Sequence, residues 1–326
     1  MAYRFSFGDT QFRHKNYLYQ VWIQFKRLGC IVVFGVVMMA SFSTLSAVYT
    51  LPEQGTRLIG ENEFYEVKTG DYFHAIAQRH NVGLLALMAS NPGIDPFLPT
   101  PGIQLRIPSG MLLPDVPYRG IVINLPELRL YFFPREADKV YVFPIGIGRI
   151  GRGTPLMLTK VKARILDPSW TPNKRIREDY FSKHGHELPR VVPAGEDNPL
   201  GKHALQLAYG RSNYLIHGTN NNFGIGMRVS AGCIRMNPDD IAWLFEQVSI
   251  GEPVRVINQA IKMSTEANGD NLIEVHTSLS KQNGEAEYNL KTVDRVSKFV
   301  DKSSVDRERV KKALLLHSGL PVNVDI

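Results

Sequence analysis

The sequence predicts an α+β multidomain chain, and three observations carry that reading. Residues 64–108 run once through strand, helix, helix and strand, a small βααβ module. From Gly120 onward, β-branched and aromatic runs follow one another across short turns, which argues a mainly antiparallel β domain with one flanking helix. After Asn258 the texture changes to a hairpin and charged, helix-compatible stretches, a small α/β appendage. A chain of 326 residues has room for about two to three such units.

The head of the chain comes first. Residues 1–27 carry Arg4, Arg13, Lys15, Lys26 and Arg27 against Asp9, and no charged residue occurs from Leu28 to Pro52. A basic head followed by an apolar run with small residues behind it reads as an export signal over 1–50. At about 20 residues the run is also long enough to span a bilayer, so cleavage and retention as an inner-membrane anchor both stay open. Either way the positive-inside rule places the remainder outside the cytoplasm, and a periplasmic location is expected. Cys30 precedes the apolar run, whereas a lipidation cysteine would follow it, which leaves Cys233 as the one cysteine of the exported part. An odd cysteine in an exported protein is flagged as a reactive thiol.

Leu51 to Glu63 reads as a polar link. In the module, Tyr65-Glu66-Val67 is a short strand and Thr69-Gly70-Asp71 a turn and helix cap. His74 to His80 form a helical segment, Val82 to Met88 a second one stopped by Asn91-Pro92, and Gln104 to Pro108 the closing strand. His74 and His80 lie six apart, poor spacing for one helix face, and read as surface residues.

The β domain occupies 118–258. Ile121 to Asn124, Leu128 to Phe133, Lys139 to Gly148 and Leu158 to Leu166 are strands, and the glycines at 146, 148, 151 and 153 read as strand-end turns, because no P-loop lysine or helix follows them. Residues 167–202 are irregular but rich in proline and aromatics, which favours an ordered lid. Asn237-Pro238-Asp239-Asp240 opens a helix with Ile241, Leu244, Phe245 and Val248 on its core face. Residues 259–326 form the appendage, with hairpin strands around Asn268-Gly269-Asp270 and helices over Ala286 to Val300 and Val305 to Leu316.

The chemistry concentrates between Tyr214 and Met236. An apolar run ends in His217-Gly218-Thr219-Asn220, and sixteen residues after the histidine comes Cys233, preceded by Gly232 and followed two residues on by Arg235. A thiol attacks as thiolate and needs a base or cation nearby. A glycine before it lets backbone N–H donors approach a tetrahedral oxyanion, and an arginine is the best fork for a substrate carboxylate. One Cys and one His fall short of a zinc site, so no metal and no cofactor is expected. The net charge of +7 suits an anionic polymer; no zinc-finger, RNA-binding or helix-turn-helix pattern accompanies it, so no nucleic-acid partner is expected.

His-Gly-x-Asn followed by Ser-x-Gly-Cys-Ile-Arg resembles the signature of the L,D-transpeptidase (YkuD-type) catalytic domain, with Ala231 where the usual form has His. Val67-Lys68-Thr69-Gly70-Asp71, Ile76-Ala77, Asn91-Pro92-Gly93 and Leu105-Arg106-Ile107-Pro108 resemble a LysM module, which binds peptidoglycan glycan; Tyr72 replaces its usual small residue. Residues 259–326 resemble the extra region of the enterobacterial-type branch that attaches the outer-membrane lipoprotein to peptidoglycan. The resemblance implies that Cys233 attacks the diaminopimelate carbonyl of a tetrapeptide stem and D-Ala leaves. His217 is then the acid–base and the Gly218 carbonyl its orienter, with N–H groups near Gly232 and Cys233 as the oxyanion hole. Arg235, Asn220, Ser230 and Tyr214 are expected to bind substrate; Arg235 would hold a stem carboxylate or order the loop. The expected partner is peptidoglycan, with a lipoprotein lysine or a second diaminopimelate as acyl acceptor. A hydrolase using the same thioester and a non-catalytic wall-binding protein are the rival readings. A papain-like protease is a third rival, against which stands the order of residues, because there Cys precedes His.

Overall fold

A computed structural model describes residues 47–210, 214–279 and 290–326. The basic head and the Ile31–Ala40 apolar run lie outside the described residues. None of the described helices is long and apolar enough to cross a membrane.

The β domain is built on a nine-stranded sheet. Its centre, Gly120–Asn124 and Arg129–Phe133, is buried at every position, because both faces are covered. Successive side chains alternate between the faces. Ile121, Ile123, Leu130 and Phe132 pack under the helix Pro238–Gln247, whose Ile241, Leu244 and Phe245 fill the same core together with Val248 just beyond its end. Val122, Tyr131 and Phe133 point the other way, onto Ile59, Met111 and Leu113. Most neighbours are antiparallel, as the sequence predicts. The exceptions are Pro253–Ile257 beside Gly120–Asn124 and Leu215–His217 beside Ile234–Arg235, both parallel. Pro238 occupies the first turn of the helix, but the Asn237 side chain makes no capping bond and donates to Asp240 instead.

Two strands ahead of the βααβ module lie where the sequence suggested none. Ala47–Thr50, at the end of the 1–50 stretch, forms the edge of the large sheet, antiparallel to Lys139–Pro144. Leu58–Ile59, inside the polar link, pairs with Met111–Leu112. These pairings bracket the βααβ module from both ends. The module's own core is small (Val67, Phe73, Ile76, Ala77, Leu87, Leu105 and Ile107), and a unit this short is marginal without support.

Within the module, Asn91 ties the second helix to the last strand. Its Nδ2 donates to the Leu87 and Arg106 carbonyls at 2.8 Å, and its Oδ1 accepts from Arg106 N at 2.8 Å. Asp71 is not the helix cap: Tyr72 holds that position, and the Asp71 carboxylate accepts instead from Lys68 N and Tyr65 Oη. The histidines are not surface residues either. His74 packs between Tyr72 and Phe223 of the β domain, and His80 lies edge-on to Tyr65 with Glu63 3.6 Å away. The module also docks backbone to backbone, with Leu85 N donating to Gly226 O at 3.2 Å and Gly83 against Gly226.

The appendage is a three-stranded sheet backed by the helices Leu290–Val300 and Arg307–Leu316; its third strand, Pro321–Asn323, had no legible pattern. It meets the β domain through a buried charge cluster. Lys262 Nζ lies 3.0 Å from Glu127 and 2.9 Å from Glu274, and donates to the Leu112 carbonyl. Arg129 pairs with both glutamates, and His276 with Glu274. Burial alone would raise the Glu274 carboxyl; Lys262, His276 and Arg129 hold it well below the ordinary range. Glu127, Glu274 and His276 are close enough to share a cation, and the two glutamates already share Lys262 and Arg129.

Candidate active site

The parallel pairing of Leu215–His217 with Ile234–Arg235 assembles the site. Ile216 faces Ile234, and both are fully buried in the core. Their neighbours within the strands point to the opposite face, which puts Leu215, His217 and Arg235 on one side of the sheet. Cys233 immediately precedes Ile234, and its thiol bonds with the backbone of Leu215, on the neighbouring strand that ends in His217. Sixteen residues of sequence collapse into neighbouring positions.

His217 is buried, and its Nδ1 lies 2.7 Å from the Gly218 carbonyl oxygen. A carbonyl only accepts, so Nδ1 carries the proton and Nε2 of the neutral ring is an acceptor. Burial lowers the pKa to about 4. The Gly218 contact opposes this, nearby Arg235 adds to it, and a Leu200 backbone contact opposes it again. Burial likewise pushes the Cys233 thiol up, partly offset by a backbone hydrogen bond with Leu215. The resting pair is therefore neutral thiol and neutral imidazole. Desolvation, not a neighbouring charge, sets the direction in which the thiol is shifted.

The turn before the nucleophile is held from two sides. Ser230 Oγ donates to the Cys233 carbonyl at 2.5 Å and accepts from Gly232 N at 3.1 Å. Thr154 Oγ1 donates to the Gly232 carbonyl at 2.9 Å and accepts from Gly148 N at 3.1 Å. Gly232 itself has φ +117°, a conformation that side chains resist. Two expectations change. Ser230, expected to bind substrate, uses its hydroxyl to shape the turn; and the Gly232 N–H, expected in the oxyanion hole, is already bonded to it. Thr154 went unnoticed in the sequence, where it is only the residue before Pro155.

Arg235 is half-buried. Its Nη1 donates to Phe223 O at 3.2 Å, so it orders the loop after His217, and burial lowers its pKa with no carboxylate among the described residues to offset that. Tyr214 stands beside Gly232, where a Cβ would be 3.5 Å from its ring, and packs edge-on against Tyr209. Asn220 is exposed at the loop's start.

The irregular stretch 167–202 contains the helix Lys174–His184, missed because none of its residues is buried and no apolar periodicity marks it. Its Asn173 cap, accepting from Ile176 N, and left-handed Gly185 were the available signals. Asn198, fully buried, gathers the stretch: Nδ2 donates to Pro168 O and Pro193 O, and Oδ1 accepts from Leu200 N. Leu200 in turn touches His217, and at Gly201 a Cβ would lie 2.8 Å from Thr219 N. The stretch is thus an ordered wall of the site.

A thiol, a neutral imidazole with its tautomer set by a backbone carbonyl, and an arginine with no acidic partner among the described residues are the parts that a cysteine acyl-transfer centre needs. Comparison with known proteins agrees. Residues 118–256 match the YkuD family, described as the L,D-transpeptidase catalytic domain; 260–324 match the L,D-transpeptidase C-terminal domain and 65–108 the LysM domain. The chain is 45% identical to "Probable L,D-transpeptidase YcfS" of Escherichia coli (strain K12), over 92% of this chain and 95% of that one. It is 42% identical to "Probable L,D-transpeptidase ErfK/SrfK" of the same strain, over 88% and 94%, and 42% identical to "Probable L,D-transpeptidase YbiS", over 87% and 94%. The chain belongs to the L,D-transpeptidase family and is an enzyme of that class.

Proposed function

We propose that the protein is a periplasmic cell-wall L,D-transpeptidase in which Cys233 carries the acyl group. The observation that supports this best is the His217 ring, neutral and fixed through Nδ1 to Gly218 O, at the end of the strand whose Leu215 backbone bonds with the Cys233 thiol. His217 Nε2 accepts the thiol proton as sulfur bonds to the diaminopimelate carbonyl carbon of a tetrapeptide stem. The tetrahedral intermediate collapses with cleavage of the C–N bond to D-Ala, whose amine takes the proton from His217. An acceptor amine then attacks the thioester, gives its proton to the same nitrogen, and the thiol is regenerated. The acceptor is a lysine of a wall-anchored lipoprotein or a second diaminopimelate. Arg235 presents an unopposed positive charge to a stem carboxylate while it orders the loop through Phe223. The LysM module holds the glycan and, docked on Gly226, keeps the stem close to the site.

Intact-protein mass spectrometry with a disaccharide tetrapeptide tests the proposal. A Cys233 adduct with release of D-Ala is expected, with candidate amines added in turn to name the acceptor, and Cys233→Ala is expected to form none. Equal turnover by Cys233→Ala would end the cysteine mechanism, and release to water in the presence of every amine would make the protein a hydrolase.

A further inference from the structure

The turn that supports the nucleophile carries two arginines which the mechanism does not use. Arg149 N donates to Ser230 O at 3.0 Å, and the Arg152 and Gly153 carbonyls lie 3.7 Å from where a Gly232 Cβ would be. Arg149 and Arg152 are thus one turn from Cys233. Both guanidinium groups converge on a single oxygen, Asp179 Oδ2, at 2.7 and 2.5 Å. The Arg152 side chain is only 11% exposed, so it is aimed inward rather than waving in solvent. Asp179 belongs to the wall helix Lys174–His184, which buries no residue of its own. Among the described residues no other acid pairs with either arginine.

These facts fit together in one way. A helix without an apolar face is not held by hydrophobic burial, so the Asp179 pair is its main tie to the nucleophile's turn. That pair is exposed enough on the aspartate side, at 39%, to be weak and exchangeable. Two guanidinium groups against one carboxylate leave a net positive charge, and planar forks of this kind select carboxylates. We propose that Arg149 and Arg152 form a second carboxylate subsite of the active site, specific for an acidic group of the stem peptide, and that Asp179 occupies it as a built-in competitor that latches the wall helix until substrate displaces it. The assignment of the ligand as a stem-peptide carboxylate rests on the proposed transpeptidase function; the presence of an anion subsite beside Cys233 does not.

Alkylation of Cys233 in the whole protein separates the two. Rates with anionic iodoacetate and neutral iodoacetamide are compared, their ratio reporting the potential at the thiol. Asp179→Asn is expected to raise the iodoacetate-to-iodoacetamide ratio at least threefold, and Arg152→Ala to lower it by as much, with Arg152→Lys in between. An unchanged ratio in all three folded variants overturns the subsite whatever the enzyme's substrate. With the tetrapeptide donor, Asp179→Asn is expected to lower KM several-fold and Arg152→Ala to raise it about tenfold, kcat moving far less. Three donors, amidated in turn at the terminal D-Ala, at the side-chain carboxylate of diaminopimelate and at the free α-carboxylate of the glutamate, identify the group. The one whose KM no longer responds to Arg152→Ala has lost the recognised carboxylate. If all three still respond fully, the subsite does not read the stem peptide.

Discussion

His217 Nδ1 and the Gly218 carbonyl oxygen, adjacent in sequence, are joined by a 2.7 Å hydrogen bond that decides how the site works. It makes Nε2 the acceptor, while burial keeps the ring neutral far below the usual histidine pKa. A neutral ring of this kind suits the proposed role of His217 as general base toward the Cys233 thiol, rather than a preformed thiolate–imidazolium pair.

A pH profile follows. The active form is neutral imidazole, so kcat/KM falls as pH drops through about 4, not through the ordinary value of 6.5. Steady-state rates from pH 3.5 to 8 check this, and an acid limb centred near 6.5 would refute it. Stability moves with it. Between 6.5 and 4 the unfolded chain binds a proton that the native ring refuses, so lowering pH across that window removes about 3 kcal/mol.

Ser230→Ala removes both bonds that shape the nucleophile's turn, to the Cys233 carbonyl and from Gly232 N. A loss of about 1–2 kcal/mol in stability is expected. A fall in kcat of roughly tenfold or more should accompany it, because the thiol is no longer held in place. Acylation rates beside urea melts measure the two. A kcat unchanged within twofold would mean that the turn is held well enough by Thr154 alone.

Gly226→Ala tests the docking of the LysM module. Gly226 has φ +69°, and a Cβ there would meet Gly83 Cα at 2.3 Å. Strain and clash together are expected to cost about 2 kcal/mol or more, unseating the module from the β domain. Hydrogen exchange in residues 82–90 should rise while the core strands Gly120–Phe133 stay protected. Gly153→Ala, with open space around it, serves as control.

Lys262→Met removes the closer of the two cations that Glu127 and Glu274 share, leaving them to Arg129 at 3.4 and 3.5 Å. Removing one partner of a buried ion cluster is expected to destabilise by about 3–5 kcal/mol. The double variant Lys262→Met with Glu274→Gln should recover part of the loss. Equilibrium unfolding of the three proteins decides, and a single variant as stable as the parent would show that the cluster does not join the appendage to the β domain.

Legibility in the sequence followed burial and locality. Helix Pro238–Gln247 was readable because its Ile241, Leu244 and Phe245 recur with helical period, and the strands Gly120–Asn124 and Arg129–Phe133 because both faces demand apolar side chains. The helix Lys174–His184 was not, since it buries nothing, nor were the strands Ala47–Thr50 and Leu58–Ile59, whose partners lie far along the chain.

By itself the sequence determined the three-part order and the family, and it singled out His217 and Cys233 for the proposed roles of base and nucleophile. Those rest on residue types and short-range spacing, which a linear chain displays. Tertiary structure alone decided that Ser230 and Gly232 satisfy each other, that Thr154 braces the turn, that Asp179 meets Arg149 and Arg152, and that Lys262 is buried between two glutamates. The charge states of His217 and Cys233 belong with these. A pKa is set by how much water the fold removes and which dipoles it brings near, and neither is written in residue order.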